Sequence, residues 1–361
     1  MIMNERKTIT LIITEKCDLA CSYCYEHKKS ARNMSFETAK KIIDNELSNP
    51  QYSSFMIEFF GGEPLLNFTL IKQIVDYINS SYEKDVHYFA TTNGTQAKGE
   101  IEDWLRLNVH QFTLGLSFDG IKKAQNINRS NSFDKINLQL FKELYPTQPL
   151  KMTVSEATLP MFFESIKFLT EFGFYISCNL AYMVDWMQER NRVVLEEQLD
   201  LLINYYVNNT QYRKCSMLDY DISVLSHPLA DNTFVKKFCG CGTHMSVYSI
   251  DGVCYPCQLF SPIAAQEKAL PSKYFHLNRD IPKELYPKEC NECYYERICS
   301  FCLGSNYLST GDMFKPDFVR CELNKIIFKA NAKLKALEWE KGLIKPEDEQ
   351  GLLRSILKIL G

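Results

Sequence analysis

The chain has 361 residues, of which 45% are hydrophobic and 24% charged, and its formal net charge is −3 at pH 7. This composition is typical of a globular protein, excludes a disordered chain, and offers no basic surface for nucleic acid. No apolar run has the length of a membrane span or the form of a signal peptide, so we expect a cytoplasmic protein without a membrane partner.

Short β-rich runs alternate with helical patterns over the first 210 residues. The predicted strands are 9–14, 55–60, 86–91, 112–118, 150–155 and 175–181. Between them, Ser35 is the expected cap of one helix, and Pro160 and Gly173 are the expected start and end of another. Six βα units in series favour a parallel barrel or a doubly wound sheet, whose chemistry gathers at the carboxyl ends of the strands.

This alternation stops near residue 211. Residues 239–321 are rich in cysteine with Gly and Pro turns, and the pattern becomes helical again after them. We therefore expect a barrel over 1–210, a linker over 211–237, a metal-stapled domain over 238–321 and carboxyl-terminal helices over 322–361.

The chain contains 14 cysteines, and their distribution is uneven. Disulfides rarely persist in the cytosol, so another explanation is needed. Three cysteines lie within 17–24 and nine within 239–321, a clustering that predicts metal ligation. The other two, Cys178 and Cys215, are interpreted as buried free thiols.

The first cysteine group has the spacing C-x3-C-x2-C and follows the first predicted strand. Its members are Cys17, Cys21 and Cys24. Three thiolates can ligate three irons of a 4Fe–4S cluster and leave the fourth iron open. A zinc site completed by His27 is the alternative, since structural zinc takes four closed ligands.

An aromatic residue, Tyr23, comes just before the third of these cysteines. The complete motif resembles that of the radical S-adenosylmethionine (radical SAM) enzymes. The resemblance implies that the open iron binds the amino and carboxylate groups of SAM. It also implies that an electron from the cluster cleaves SAM to a 5′-deoxyadenosyl radical, which abstracts hydrogen from the substrate. The fold we expect is a partial (β/α)6 TIM-type barrel.

Further motifs of the same family fall where the next predicted strands end. Gly61, Gly62, Glu63 and Pro64 match the GGEP turn that contacts the methionyl amine of SAM. Glycines allow close backbone approach, and a carboxylate can pair with an ammonium. Asn93, Ser117, Asp119 and Arg129 match polar positions that line the ribose and carboxylate ends of SAM in similar enzymes. A turn or capping role is the alternative for Asn93 and Ser117, and a surface position is the alternative for Arg129.

The second cysteine group resembles the SPASM domain, an extension found in radical SAM enzymes that modify peptides and proteins. By this resemblance one auxiliary 4Fe–4S cluster is held by Cys290, Cys293, Cys299 and Cys321. The other is held by Cys239, Cys257 and Cys302, with Cys241 or Cys254 as a possible fourth ligand. The gap between Cys299 and Cys302 is shorter by one residue than in the family. Three 4Fe–4S clusters are thus expected, with zinc-bound or free cysteines as the alternative.

The resemblance extends to two groups of enzymes. The better match is the maturases of ribosomally made peptides, which form thioether, carbon–carbon or carbon–oxygen crosslinks. The alternative is the anaerobic sulfatase-maturing enzymes, which form formylglycine. These usually carry an aspartate just after the G-x4-C cysteine, where this chain has Gln258, which is no base. An iron–sulfur electron carrier is the non-enzymatic alternative, and no catalytic base is identified.

The expected partners are a peptide or protein substrate and an external reductant such as flavodoxin or ferredoxin. Only sixteen residues precede Cys17, so we expect no leader-binding domain ahead of it. Leader recognition would then use the barrel surface, the aromatic-rich segment 205–235 or a separate leader-binding protein. Ordinary packing within the fold is the alternative role for the aromatic residues of that segment.

Overall fold

The computed structural model describes residues 6–26, 29–182, 184–226, 234–236, 239–275, 280–344 and 349–361. His27, the fourth ligand of the alternative zinc site, lies outside them. The chain forms two compact units. Unit 1 consists of Met1–Ser117, Arg129–Gln148 and Lys236–Asp280, and unit 2 of Phe118–Asn128, Pro149–Val235 and Ile281–Gly361. These units are defined by spatial contacts, and the four sequence ranges given above stay predictions.

Strands and helices alternate through the first part of the described chain. The strands are β1 Arg6–Thr14, β2 Ser54–Gly61, β3 Asp85–Thr92, β4 Phe112–Leu116, β5 Leu150–Val154, β6 Ile176–Leu180, β7 Phe234–Lys236, β8 Met245–Tyr248, β9 Cys254–Tyr255 and β10 Asp280–Pro282. The helices are α1 Phe36–Leu47, α2 Phe68–Ser81, α3 Glu100–Asn108, α4 Lys122–Asn128, α5 Leu138–Leu144, α6 Phe162–Phe172, α7 Glu189–Asn208, α8 Pro262–Ala265, α9 Lys288–Asn291, α10 Leu303–Thr310, α11 Phe318–Glu340 and α12 Glu349–Leu360. All six predicted strands are confirmed, and the α/β fold class with them.

The sheet of unit 1 has the strand order β4-β3-β2-β1-β8-β9. The neighbouring strands β4 and β3, β3 and β2, β2 and β1, and β1 and β8 all pair in parallel. Strand β9 runs antiparallel to β8. Strand β1 lies between β2 and β8, so that Thr8 pairs with both Met56 and Met245. Because the strands are parallel, the segments after β1, β2, β3 and β4 leave the same edge of the sheet.

Helix α1 of unit 1 begins where the sequence predicts and buries one apolar side. Ser35 caps α1, accepting a hydrogen bond from the backbone N–H of Thr38 at 3.1 Å. Helix α1 buries Ala39, Ile42 and Ile43, at the spacing of an amphipathic helix. The capping role of Ser35 is therefore confirmed.

Unit 2 contains the parallel pair β5 and β6, with a helix between them in sequence. Pro160 lies in a 3-10 turn that leads into α6, and Gly173 ends α6 in the left-handed conformation at φ +98°. Both predicted helix boundaries are thereby confirmed. Cys178 on β6 and Cys215 are buried, as expected. Within the described ranges, none of the helices is long and apolar enough to cross a membrane.

Candidate functional site

The first three clustered cysteines lie on the loop that leaves β1 in unit 1. Cys17, Cys21 and Cys24 are all partly exposed. The loop is tied down from two sides: the backbone N–H of Glu15 donates to the carbonyl of Arg32 at 3.0 Å, and that of Ala20 donates to Ser130 Oγ at 2.9 Å. Three thiols are thus presented on one anchored loop.

The glycines after β2 allow this loop to approach closely. A Cβ atom at Gly61 would lie 2.0 Å from the carbonyl oxygen of Thr14, and one at Gly62 would lie 2.1 Å from that of Lys16. The backbone N–H of Gly62 donates to Thr14 at 3.0 Å, and that of Glu63 donates to Lys16 at 2.7 Å. The GGEP turn is therefore packed directly against the backbone of the cysteine loop, where only glycine fits.

Glu63 is 1% exposed and accepts three hydrogen bonds. Its Oε1 accepts from the backbone N–H of Leu65 at 3.1 Å and from Thr92 Oγ1 at 2.8 Å, and its Oε2 accepts from the backbone N–H of Asn93 at 2.7 Å. Burial raises the pKa of Glu63 to about 7, although these three donors lower it. The carboxylate joins the end of β2 to the end of β3.

Asp18, within the cysteine loop, was not among the residues singled out from the sequence. Asn93 Nδ2 donates to its Oδ1 at 2.8 Å, and Thr95 Oγ1 and Gln96 Nε2 donate to its Oδ2. Burial raises the pKa of Asp18, but the hydrogen bonds from Thr95, Asn93 and Gln96 outweigh it and hold this pKa below its usual range. Asp18 thus fixes Asn93, which the sequence analysis assigned to the cofactor.

Two other predicted cofactor residues of unit 1 lie together. The Arg129 guanidinium stacks over the ring of Tyr23, 5.3 Å from its centroid. Arg129 is followed by Ser130 and Asn131, both at positive φ, near +52° and +53°. Backbone of this kind is uncommon outside glycine and concentrates at functional sites. Ser117 follows β4, and its backbone N–H donates to the carbonyl of Thr92 at 2.8 Å.

Asp119 belongs to unit 2 and is fully buried. Its Oδ1 accepts from the backbone N–H of Thr153, and its Oδ2 accepts from Asn128 Nδ2, both at 3.0 Å. These contacts join the segment before α4 to β5. They give Asp119 a structural role, and its assignment to the cofactor stays a prediction.

Two charged side chains follow the third cysteine. Lys29 Nζ donates to the carbonyl of Leu19 at 3.2 Å. Burial lowers the pKa of Lys29. The negative charges of Cys17, Cys24 and Cys21 raise it by a larger amount, so the net shift is upward. Glu26 is buried, its Oε2 lacks a hydrogen-bond partner, and burial raises its pKa to about 8. No motif in the sequence marks either residue, and only their positions shortly after Cys24 set them apart.

Four of the later cysteines, those at 239, 241, 254 and 257, lie in unit 1. A hydrogen bond with the thiol of Cys241 lowers the pKa of Cys257, against the effect of burial, so these two sulfurs are neighbours. Both residues are buried, whereas Cys239 is exposed. Cys254 makes a different contact, since its Sγ donates to Ser272 Oγ at 3.3 Å.

The other five lie in unit 2 and line one cavity of about 230 Å³: Cys290, Cys293, Cys299, Cys302 and Cys321. Burial, followed by the charges of Cys321, Cys299 and Cys293, raises the pKa of Cys290 to about 12. Cys302 differs, because its sulfur accepts from the backbone N–H of Ser305 at 3.5 Å and so caps α10. A second cavity of about 180 Å³ in the same unit shares Ser300, Asp317, Arg320 and Asn324 with the first.

The donor sets fit iron–sulfur clusters. Among the described residues, no three His, Cys, Asp or Glu side chains are gathered closely enough to hold a single metal ion. A 4Fe–4S cluster binds each thiolate on a different iron and so needs its ligands more widely spaced than one zinc ion does. Soft thiolates on one loop, and five more around one cavity, are the ligands such clusters prefer.

Three comparisons with known proteins bear on this site. Residues 11–166 match the sequence profile of the Radical SAM superfamily. An uncharacterized protein of Methanocaldococcus jannaschii is 33% identical over 179 residues, 48% of this chain and 61% of that protein. The radical SAM cyclopropyl synthase TigE of Paramaledivibacter caminithermalis is 22% identical over 95% of this chain and 76% of its own length. A cysteine-type anaerobic sulfatase-maturating enzyme of Clostridium perfringens is 29% identical over 35% of this chain and 38% of its own length. This chain thus spans about three fifths of the first of these relatives.

Solved structures show the same fold. Native anSMEcpe with bound AdoMet and Cp18Cys peptide has a TM-score of 0.68 at 19% identity, covering 94% of this chain and 100% of that one. Streptococcus suis SuiB bound to the precursor peptide SuiA has a TM-score of 0.56 at 15% identity, covering 88% of this chain and 76% of that one. At these identities the likeness concerns the fold alone. The profile match covers the cysteine loop, the GGEP turn and the polar positions after β3 and β4, so residues 11–166 form a radical SAM domain.

Proposed function

We propose that the chain modifies a ribosomally made peptide by radical SAM chemistry and forms an oxidised product, such as a thioether, carbon–carbon or carbon–oxygen crosslink. The observation that carries this proposal is the presence, in one chain, of the three-thiol loop after β1 and of a separate cavity lined by five cysteines in unit 2. The first suits SAM cleavage, and the second suits an auxiliary cluster of the kind found in peptide-modifying members of the family.

The residues of unit 1 have distinct parts in this proposal. Cys17, Cys21 and Cys24 hold a 4Fe–4S cluster that, when bound, supplies the electron for SAM cleavage. The backbone of the GGEP turn binds the methionyl amine, and buried Glu63 fixes the shape of that turn through its three donors. Asp18 orients the amide of Asn93. Tyr23, Ser117 and Arg129 complete the proposed SAM contacts of unit 1, and the assignment of Asp119, which belongs to unit 2, to the cofactor stays a prediction.

Two auxiliary 4Fe–4S clusters complete the proposed set of three. Cys290, Cys293, Cys299 and Cys321 are proposed for one of them, because they line one cavity in unit 2. For the other, with Cys239, Cys257 and Cys302, we prefer Cys241 over Cys254 as the fourth ligand. The sulfur of Cys241 forms a hydrogen bond with the sulfur of Cys257. The sulfur of Cys254 instead donates a hydrogen bond to the hydroxyl of Ser272.

The names of the relatives support a peptide substrate. Both anSMEcpe and SuiB are described in complex with peptides. TigE is named as a cyclopropyl synthase, and making a three-carbon ring requires a new carbon–carbon bond. An external reductant such as flavodoxin or ferredoxin, a separate leader-binding protein and a cytoplasmic location are parts of the same proposal.

Sulfatase maturation is the second candidate, and it is favoured by the likeness of fold to anSMEcpe. Against it stands Gln258, at the position where sulfatase-maturing enzymes carry an aspartate. Gln258 begins a short 3-10 turn directly after Cys257. Its amide cannot take up a proton at neutral pH.

Mass spectrometry of peptide products separates the two candidates. Anaerobically reconstituted protein is incubated with SAM, dithionite and two sets of peptides: short precursors encoded beside the gene, and a sulfatase-derived peptide with its target cysteine. We expect a precursor to lose two hydrogens and to show fragments joined between two residues. Conversion of the cysteine to an aldehyde, with the precursors unchanged, would establish sulfatase maturation instead.

A further inference from the structure

Arg320 lies in the wall of the cysteine-lined cavity of unit 2 and carries a charge that no carboxylate among the described residues neutralises. It lines both cavities of this unit. Its Nη1 donates to Ser305 Oγ at 3.1 Å, while its Nε is shielded from solvent and has no hydrogen-bond partner. Of the described residues, none with a carboxylate forms an ion pair with it. Its other partner is Tyr182, which forms a hydrogen bond with the guanidinium and whose ring centroid lies 5.6 Å from it, but which is not a carboxylate.

A guanidinium that is largely withdrawn from solvent and has no partner of opposite charge is costly. Arginine does not lose its proton in proteins, so this cost cannot be avoided by neutralisation. Leaving a charge in a cavity without a partner of opposite charge destabilises a fold. A group of opposite charge is therefore expected beside Arg320 in the working protein.

The nearby sulfurs identify that group. Burial lowers the pKa of Arg320, but Tyr182, Cys302 and Cys299 raise it, so that the net shift is upward. Neutral donors face the same sulfurs: Asn324 Nδ2 lies 3.5 Å from Cys299 Sγ, and the backbone N–H of Ser305 lies 3.5 Å from Cys302 Sγ. A thiolate-ligated cluster is negatively charged and becomes more so when it is reduced.

We propose that Arg320 is the fixed counter-ion of the auxiliary cluster in unit 2 and raises that cluster's reduction potential. The inference rests on the proposed presence of a cluster in this cavity. A cation that cannot titrate stabilises the reduced cluster more than the oxidised one, because reduction adds a negative charge. Charge and hydrogen bonds to the sulfurs are the means by which proteins tune such clusters. Arg320 thus favours the reduced, electron-holding state of this centre.

Lys325 provides a matched control within the same cavity. It has the same charge and also lines the cysteine cavity. Its Nζ, however, forms an ion pair with Glu322 at 2.6 Å, and its side chain is 43% exposed. Water and Glu322 therefore screen the charge of Lys325 from the cysteines more strongly than the charge of partly exposed Arg320 is screened.

The test is an anaerobic redox titration followed by electron paramagnetic resonance. The full chain carries Cys17→Ala, Cys21→Ala and Cys24→Ala, so that only auxiliary centres contribute. The signal of the unit 2 centre is the one lost when Cys290→Ala and Cys293→Ala are added. The parent is the chain with only the three Cys→Ala changes at residues 17, 21 and 24. The midpoint potential of this signal is compared between the parent and the same chain carrying Arg320→Gln, Arg320→Lys or Lys325→Gln, and the iron content of each is measured.

We expect Arg320→Gln to lower the midpoint by an amount equal to about a tenfold change in the reduction equilibrium, about 59 mV for one electron. Arg320→Lys should keep most of the parent value, and Lys325→Gln should shift it by less than half as much. Loss of iron in Arg320→Gln, with full iron in Arg320→Lys, would equally support the inference, because it would show that the cluster needs a positive charge at this position. An unchanged midpoint in Arg320→Gln, an equal shift in Lys325→Gln, or iron loss in both Arg320 variants would overturn the inference. If Cys290→Ala with Cys293→Ala removes neither signal nor iron, the proposed cluster itself is absent.

Discussion

At the scale of single residues, Glu63 shows how a residue assigned to a cofactor is also part of the fold. It is almost wholly buried and bonded to three donors. The GGEP pattern allows this position to be located, because the motif is local. The partners Thr92 and Asn93 come from another strand, and no local pattern predicts them.

Burial raises the pKa of Glu63 from 4.5 to about 7 in the folded protein. Between these values the folded state holds a proton that the unfolded chain has released, so stability falls as pH rises through this window. The free energy of unfolding of the wild type, relative to Glu63→Gln, should fall by about 2 kcal/mol between pH 5 and pH 8. Urea unfolding of the cluster-free proteins measures this difference, and a difference that stays constant with pH would contradict it.

The cysteines of unit 1 allow a second test at this scale. If Cys241 is the fourth ligand beside Cys257, Cys241→Ala should lose most of the iron of that auxiliary cluster, about four atoms per chain. The Cys254→Ala variant should keep this iron, because the thiol of Cys254 is hydrogen-bonded to Ser272 and does not ligate the cluster. Iron analysis after anaerobic reconstitution measures both, and the reverse pattern would assign the ligand to Cys254.

At the scale of secondary structure, the six strands β1 to β6 were predictable because each is a short β-rich run bounded by turn residues. Strands β8 and β9 were not predicted. They have four and two residues, lie in a segment read as cysteine-rich turns, and owe their conformation to pairing that begins at distant β1. A strand this short has no periodicity to detect.

The close packing of the GGEP turn against the cysteine loop also belongs to this scale. Gly61 and Gly99 both have positive φ, but only Gly61 would place a Cβ against backbone, since nothing lies within 4 Å of one at Gly99. Gly99→Ala should cost about 1–3 kcal/mol of conformational strain. Gly61→Ala should cost at least about 2 kcal/mol more, because Thr14 must move. Denaturant unfolding measures both losses of unfolding free energy. Equal losses for Gly61→Ala and Gly99→Ala would contradict this prediction, because the cysteine loop would then have moved aside at no cost.

At the scale of the whole molecule, the sequence motifs located the cysteine loop and the polar positions, and they predicted the α/β class. They could not identify Asp18, Glu26 or Arg320. The importance of these residues arises from burial and from hydrogen bonds formed only when distant segments pack together. A lone Asp, Glu or Arg in a sequence is most often a solvated surface residue.

The central claim is that Cys17, Cys21 and Cys24 hold a cluster that cleaves SAM. The most direct measurement is the formation of 5′-deoxyadenosine by anaerobically reconstituted protein given SAM and dithionite, quantified by liquid chromatography. We predict 5′-deoxyadenosine from the wild type and none from the variant with Cys17→Ala, Cys21→Ala and Cys24→Ala, which should also lose about four irons. Intact SAM in the wild-type reaction, with only zinc bound at these thiols, would contradict the account.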